Sequence, residues 1–189
     1  MMCLKTLKLS LCLLITAAGV SSAANYQLDP SHTSVVFAVS HLGYSFTYGR
    51  FDKVSGSFVL SESDPSQHSF KVEIATDSID TNDTKRDEHL RGADFFSAKQ
   101  FPTITFESRS VTQIENGFAL VGDMTMHGVT KSVPIELQFL GSGPGPGGGQ
   151  RAGFLANFTV KRSDFGMSNM LPAIGDDITV MMSFEGVQQ

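Results

Sequence analysis

The sequence predicts an all-β fold: an antiparallel barrel of about eight strands with one short helix. Three observations point there. Apolar residues recur at every second position in run after run, the signature of half-buried strands. Short turn signals separate the runs, where parallel strands would need long crossovers. Roughly seven to nine such runs fit a chain of one domain, a count that suits a small up-and-down barrel. Periodicity alone leaves a sandwich open.

Residues 1–24 read as a secretory leader. Lys5 and Lys8 give a positive start, Leu9 to Val20 form a short apolar run, and Ser21-Ser22-Ala23-Ala24 offer the small residues of a cleavage site. The run falls short of the roughly 20 residues of a bilayer crossing. Leu11 stands before Cys12 where a lipoprotein signal needs a small residue. Cleavage after Ala24 leaves residues 25–189 as one domain, expected in the periplasm without a stable membrane anchor.

Removing 24 of 189 residues leaves 165, and removing two lysines leaves 12 basic against 19 acidic residues, a balance of -7. Both cysteines leave with the leader. The mature chain therefore has no disulfide, thiolate nucleophile or cysteine-held cluster. Its acidity argues against nucleic acid, which calls for a basic face.

The strands follow in order. Val35, Phe37 and Val39 alternate with polar and small residues; Tyr44, Phe46 and Tyr48 alternate with Ser45, Thr47 and Gly49, and are expected inward. Phe70, Val72 and Ile74 form the next run, after a turn at Ser63-Asp64-Pro65-Ser66. Asp83 to Gly92 breaks the period and reads as a short helix, N-capped by Asp83 and ended by Gly92. Leu90 packs inward, with Phe95 and Phe96 as anchors. Ile104 and Phe106 lead to Asn116-Gly117, a strong hairpin turn. Phe118, Leu120, Met124 and Met126 share one face, and His127-Gly128 is a second turn. Ile135, Leu137 and Phe139 precede the glycine-rich 141–149, read as a long flexible hairpin tip. Phe154, Ala156, Phe158 and Val160, then Ile178, Val180, Met182 and Phe184, complete the set.

Four segments in order resemble the YceI-like family of bacterial periplasmic lipid-binding proteins. They are Tyr26-Gln27-Leu28-Asp29-Pro30-Ser31-His32-Thr33-Ser34 leading to Gly49-Arg50-Phe51; Ser78 to Thr81, Arg86 to Leu90 and Phe101-Pro102-Thr103-Ile104; Gly122 to Lys131; and Lys161-Arg162-Ser163-Asp164-Phe165-Gly166. The resemblance spans essentially the whole mature chain. Tyr26 stands where the family often has Trp, and Lys161 where Asn is common. The resemblance implies a lipocalin-like barrel with a long apolar cavity and a polyisoprenoid or isoprenoid quinone as non-covalent ligand, and it allows a homodimer.

The residues themselves nominate a wall. Phe37, Val39, Phe106, Met124, Met126, Phe158 and Met182 lie on apolar strand faces, and flat Phe with flexible Met suits a branched hydrocarbon. At this strand number side chains ordinarily fill the barrel; the resemblance favours a cavity.

Catalytic chemistry finds little support. No nucleophile elbow or phosphate-binding glycine motif occurs. Of the remaining histidines, His32, His41 and His127 lie near strand ends, without spacing typical of a zinc site. Asp80, Asp83, Asp87, Glu88 and Asp94 read as a solvated face with pairs such as Asp87–Arg91. Arg86 and Asp87 are expected to tie the helix to the rim, with the Arg162–Gly166 segment as partner. The expected function is lipid carriage, not catalysis. The rivals are an enzyme using His41, His127 or Asp87 on a bound lipid, and a stress-linked binding module without a dedicated lipid.

Overall fold

The computed structural model describes residues 23–189. The expected leader lies outside them apart from Ala23 and Ala24. The strands are β1 (Ala24–Leu28), β2 (Ser34–His41), β3 (Ser45–Phe51), β4 (Val54–Leu60), β5 (Ser69–Ala75), β6 (Ile79–Asp80), β7 (Thr103–Ile114), β8 (Gly117–Met126), β9 (Val129–Pro144), β10 (Gln150–Lys161) and β11 (Ile174–Gln188). Helix α1 (Thr84–Arg91) lies between β6 and β7.

These strands form one antiparallel sheet that closes on itself through β1 and β11. Three staves are interrupted. β1 and β2 lie end to end along β11, which pairs with β1 through Gly186–Gln188 and with β2 from Ile174 to Ser183. β3 and β4 likewise follow β2 and β1, and β6 and β5 follow β3 and β4. With β7 to β11 this gives an up-and-down barrel of eight staves, as the alternation predicts.

Tight turns set the register. Leu42 and Gly43, and His127 and Gly128, have φ of 53° and 72°, and 52° and 75°. Two consecutive residues at positive φ fit the mirror-image turns that match strand twist. Asp83 caps α1 by accepting from the Arg86 amide at 2.9 Å. The glycine-rich segment is more ordered than expected. Strand pairing runs through Gly141, Ser142, Gly143 and Pro144, which leaves a tip of 145–149.

The base of the barrel is solid. Phe58, Phe70, Phe154 and Phe184 are almost wholly buried, and Tyr26 stacks on Phe58 with ring centroids 4.7 Å apart. Gly186 permits this, because a β-carbon there would collide with the Phe58 ring.

One strand face is reversed from expectation. Tyr44, Phe46 and Tyr48 are 88%, 60% and 60% exposed, while Gly49 and Phe51 point inward and are buried. The Phe37 ring lies over Gly49 and leaves no room for a β-carbon. The inner face of β3 must therefore be small at that point, and the aromatic parity turns to the outside.

Candidate ligand cavity

At the other end the barrel is hollow. β9 and β10 pair only as far as Leu137 and Ala156, so β10 continues beside β11 alone. A cavity of ≈550 Å³ occupies the widened half. Such volumes are typical of small-molecule sites. Val35, Phe37, Val39 and Phe51 wall it on β2 and β3, Met124 and Met126 on β8, Phe158 and Val160 on β10, and Ile174, Ile178 and Val180 on β11. Leu90, Phe95 and Phe96 close it from α1 and the segment after it. A smaller pocket of ≈60 Å³ adjoins it toward the base and shares Val35, Ile74, Ile104, Met124, Phe158 and Val180.

Five of the sequence-nominated residues, Phe37, Val39, Met124, Met126 and Phe158, border the main cavity. Phe106 and Met182 border the smaller pocket. Met167 and Met170 also border the main cavity and carry no periodic signal, because they come from the irregular segment between β10 and β11.

The exposed wall residues are His41, Lys85, Arg86, His89 and Met170, so the cavity opens beside α1. Thr81 anchors that helix. Its amide and hydroxyl donate to Asp87 Oδ1 at 2.8 and 2.6 Å, and it accepts from Arg86 Nε at 2.7 Å through Oγ1 and from Arg86 Nη2 at 2.6 Å through its carbonyl. Arg86 and Asp87 thus bind the rim through one shared threonine. The expected Asp87–Arg91 pair does not form: Arg91 reaches across to donate to the carbonyls of Asp77 and Ile79 at 2.8 and 2.6 Å.

Nor is the Arg162 segment the polar partner of α1. Arg162 is buried and donates to the carbonyls of Met167, Ile174 and Gly175 at 2.7 to 2.9 Å. Burial pulls its pKa below the usual guanidinium value, with nearby Asp176 opposing. It braces the loop that carries Met167 and Met170, and its guanidinium carbon lies 6.0 Å from the centre of the Phe95 ring.

The histidines are dispersed. His32 sits at the base with Asp29, at 2.9 Å. His127 Nδ1 lies 3.1 Å from the Phe165 carbonyl, with its ring edge-on to Phe101, and only His41 and His89 border the cavity. Among the described residues no three His, Cys, Asp or Glu side chains gather as a metal site. No described helix is long and apolar enough to cross a membrane.

An eight-stave barrel around an apolar, ligand-sized cavity defines a lipocalin-like architecture. The chain belongs to the YceI-like family, whose domain pattern matches residues 26–186. It is 41% identical over 184 residues to a UPF0312 protein of Yersinia pestis (strain Pestoides F), covering 96% of both chains. It is also 41% identical over 174 residues to a UPF0312 protein of Pseudomonas aeruginosa (strain LESB58), covering 91% of each. Its fold matches the crystal structure of the Campylobacter jejuni YceI protein with a TM-score of 0.70 and 29% identity, over 79% of this chain and 89% of that one. Burkholderia cenocepacia BcnA shares the fold at a TM-score of 0.76 and 21% identity, over 84% and 98% of the two chains. A polyisoprenoid binding domain from Saccharophagus degradans, implicated in plant cell wall breakdown, shares it at 0.64 and 16% identity, over 87% and 98%.

Proposed function

We propose that the protein is a periplasmic carrier that holds an isoprenoid-tailed lipid in the hollow half of its barrel. The observation that carries this reading is the ≈550 Å³ cavity, with Phe, Met, Val and Ile along its depth and an opening at one end. Burial of apolar surface stabilises a complex by about 25 cal/mol per Å² before the costs of association. A long hydrocarbon therefore binds through many small contacts, and no reactive group has to act on it. The polyisoprenoid binding domain from Saccharophagus degradans, which has the same fold, supports an isoprenoid as the occupant. The small residues ending the leader support export.

Mass spectrometry of organic extracts from gently purified protein tests the reading. The expected result is a stoichiometric isoprenoid lipid from an expression host that makes one. Met124→Asp places a carboxylate against the tail and strands it without a partner. This variant should retain the β-sheet circular dichroism and lose the lipid. A wild-type extract free of isoprenoid, or equal lipid in a folded Met124→Asp variant, would overturn the proposal.

A further inference from the structure

The hydrophobic side chains left uncovered on this protein are not scattered. Among the described residues ten large hydrophobic side chains are exposed, and six of them, Leu42, Tyr44, Phe46, Tyr48, Met170 and Leu171, belong to two short segments. The segments lie side by side: the Leu42 amide donates to the Ala173 carbonyl at 2.7 Å, and His41 pairs with Ile174. Both border the open end of the barrel. His41 and Met170 are exposed wall residues of the cavity, and each is followed directly by an exposed leucine, Leu42 and Leu171. Phe46 and Tyr48 continue the patch along the outside of β3, opposite Ser40 and Ala38 of β2. Neither segment is charged. Residues 42–49 and 165–175 contain no Asp, Glu, Lys or Arg, in a chain with 19 acidic and 14 basic residues. Exposed hydrophobic groups gathered in this way mark a surface that meets another body.

We infer that this face docks on a lipid bilayer, with Leu42, Tyr44, Phe46, Met170 and Leu171 dipping into the headgroup region, so that the cavity mouth opens against the membrane. The inference rests on the carrier reading above for the kind of partner: a hydrocarbon cargo resides in a bilayer, and crossing water would expose its apolar surface. One occupant then accounts for both observations, because a bilayer covers the patch and supplies what enters the mouth beside it. The lack of charge fits, since tips that dip into the headgroups desolvate no ion. Tyrosine rings, apolar in body and polar at the tip, settle at the depth of the headgroups. Attachment by a few side chains buries little apolar area, so the docking is reversible.

The chain contains no tryptophan, so a single introduced one reports only its own surroundings. Phe46→Trp places it on the proposed face. Leu140→Trp places a comparably exposed one on β9, next to the base residue Phe139. The full exported protein is mixed with vesicles of phosphatidylethanolamine and phosphatidylglycerol, with and without bromine on the acyl chains. Emission from Phe46→Trp should move to shorter wavelength and be quenched by the brominated lipid, while Leu140→Trp should do neither. Binding should survive high salt, because screening acts on charges and the face has none. Phe46→Ser should weaken vesicle co-sedimentation about ten-fold, the scale of returning one large apolar side chain to water. A Phe46→Trp emission that ignores vesicles overturns the inference and leaves the carrier reading to the organic extracts, which decide it separately. Equal quenching of both tryptophans, binding that vanishes at high salt, or wild-type binding by Phe46→Ser would each overturn it too. A blue shift that appears without vesicles and grows with protein concentration would assign the face to a second copy of the chain and overturn bilayer docking.

Discussion

At the base of the barrel Phe154 meets five phenyl rings, Phe58, Phe70, Phe118, Phe139 and Phe184, with centroids 5.4 to 6.0 Å away. Four residues further along the same strand and on the same face, Phe158 borders a cavity of ≈550 Å³. The two rings differ in their neighbours across the sheet. Phe154 faces Phe184 on β11 and Phe139 on β9, whereas Phe158 faces Val180 on β11 and lies beyond the last β9 pairing. Where three strands present rings at one level, the rings close the barrel. Where pairing ends and the opposing residues are branched aliphatics, space remains. The base is packed shut, and the other half of the barrel keeps its cavity.

The contrast breaks first at Phe154. Its side chain is wholly buried among rings that cannot collapse into the space it would leave. Phe154→Ala should cost about 3–5 kcal/mol, the usual loss for a buried aromatic. Met126→Ala, at a cavity wall residue, should cost about 2 kcal/mol or less, at or below the low end for a packed methionine, because one side of Met126 already borders empty space. Paired urea titrations measure both. Equal losses would mean that the mouth is as densely packed as the base.

A middle-sized effect is expected at the rim. Thr81→Val keeps the shape of the side chain and removes the hydroxyl shared by Arg86 and Asp87. Asp87 is buried and would keep only the Thr81 amide as a partner. The expected loss is about 1–3 kcal/mol, the cost of leaving a buried polar group under-satisfied. Hydrogen exchange should place the change in α1 and not in the base strands. Uniform loosening across the barrel would sink the view of Thr81 as a local clasp.

Strand alternation made the barrel legible, because a period of two and tight turns leave few other folds. It gave the correct inward parity for β2, β7, β8, β10 and β11, from Val35 and Phe37 through to Met182 and Phe184. It failed on β3, where both parities are plausible and the larger side chains lie outside. The deciding contact, Phe37 over Gly49, joins two strands and has no local signature. Alternation is also blind to height along the barrel. Phe154 and Phe158 look equivalent in sequence, and only the end of β9–β10 pairing separates a plug from a wall. The charged rim was legible as a cluster but not as a wiring. Arg86 and Asp87 share Thr81, while Arg91 and Arg162 bind backbone carbonyls, and carbonyl partners leave no trace in residue types.

The smallest expected effect concerns the outside of the solid end. Asp29 accepts from the Ser31 hydroxyl at 2.6 Å, from Arg151 at 2.8 Å and from the Ser31 amide at 3.0 Å, with His32 at 2.9 Å. Arg151 also reaches Glu185 at 2.9 Å, so the cluster joins β10 and β11 to the turn after β1. The Ser31 and Arg151 hydrogen bonds, with His32, hold the Asp29 carboxyl far below the usual carboxylate range. A depressed folded-state pKa adds stability that is present above the unfolded value, about 3.9, and is lost as pH falls through the folded one. Asp29→Asn should therefore lower the melting temperature at pH 7, and the gap from wild type should narrow as pH drops below about 4. Phe154 and the five phenyl rings around it do not ionise, so Phe154→Ala should keep the same deficit at both pH values. Thermal melts of the two variants at pH 7 and pH 3 make the comparison. A gap for Asp29→Asn that stays constant with pH would show that the clasp acts through its geometry and not through its charge.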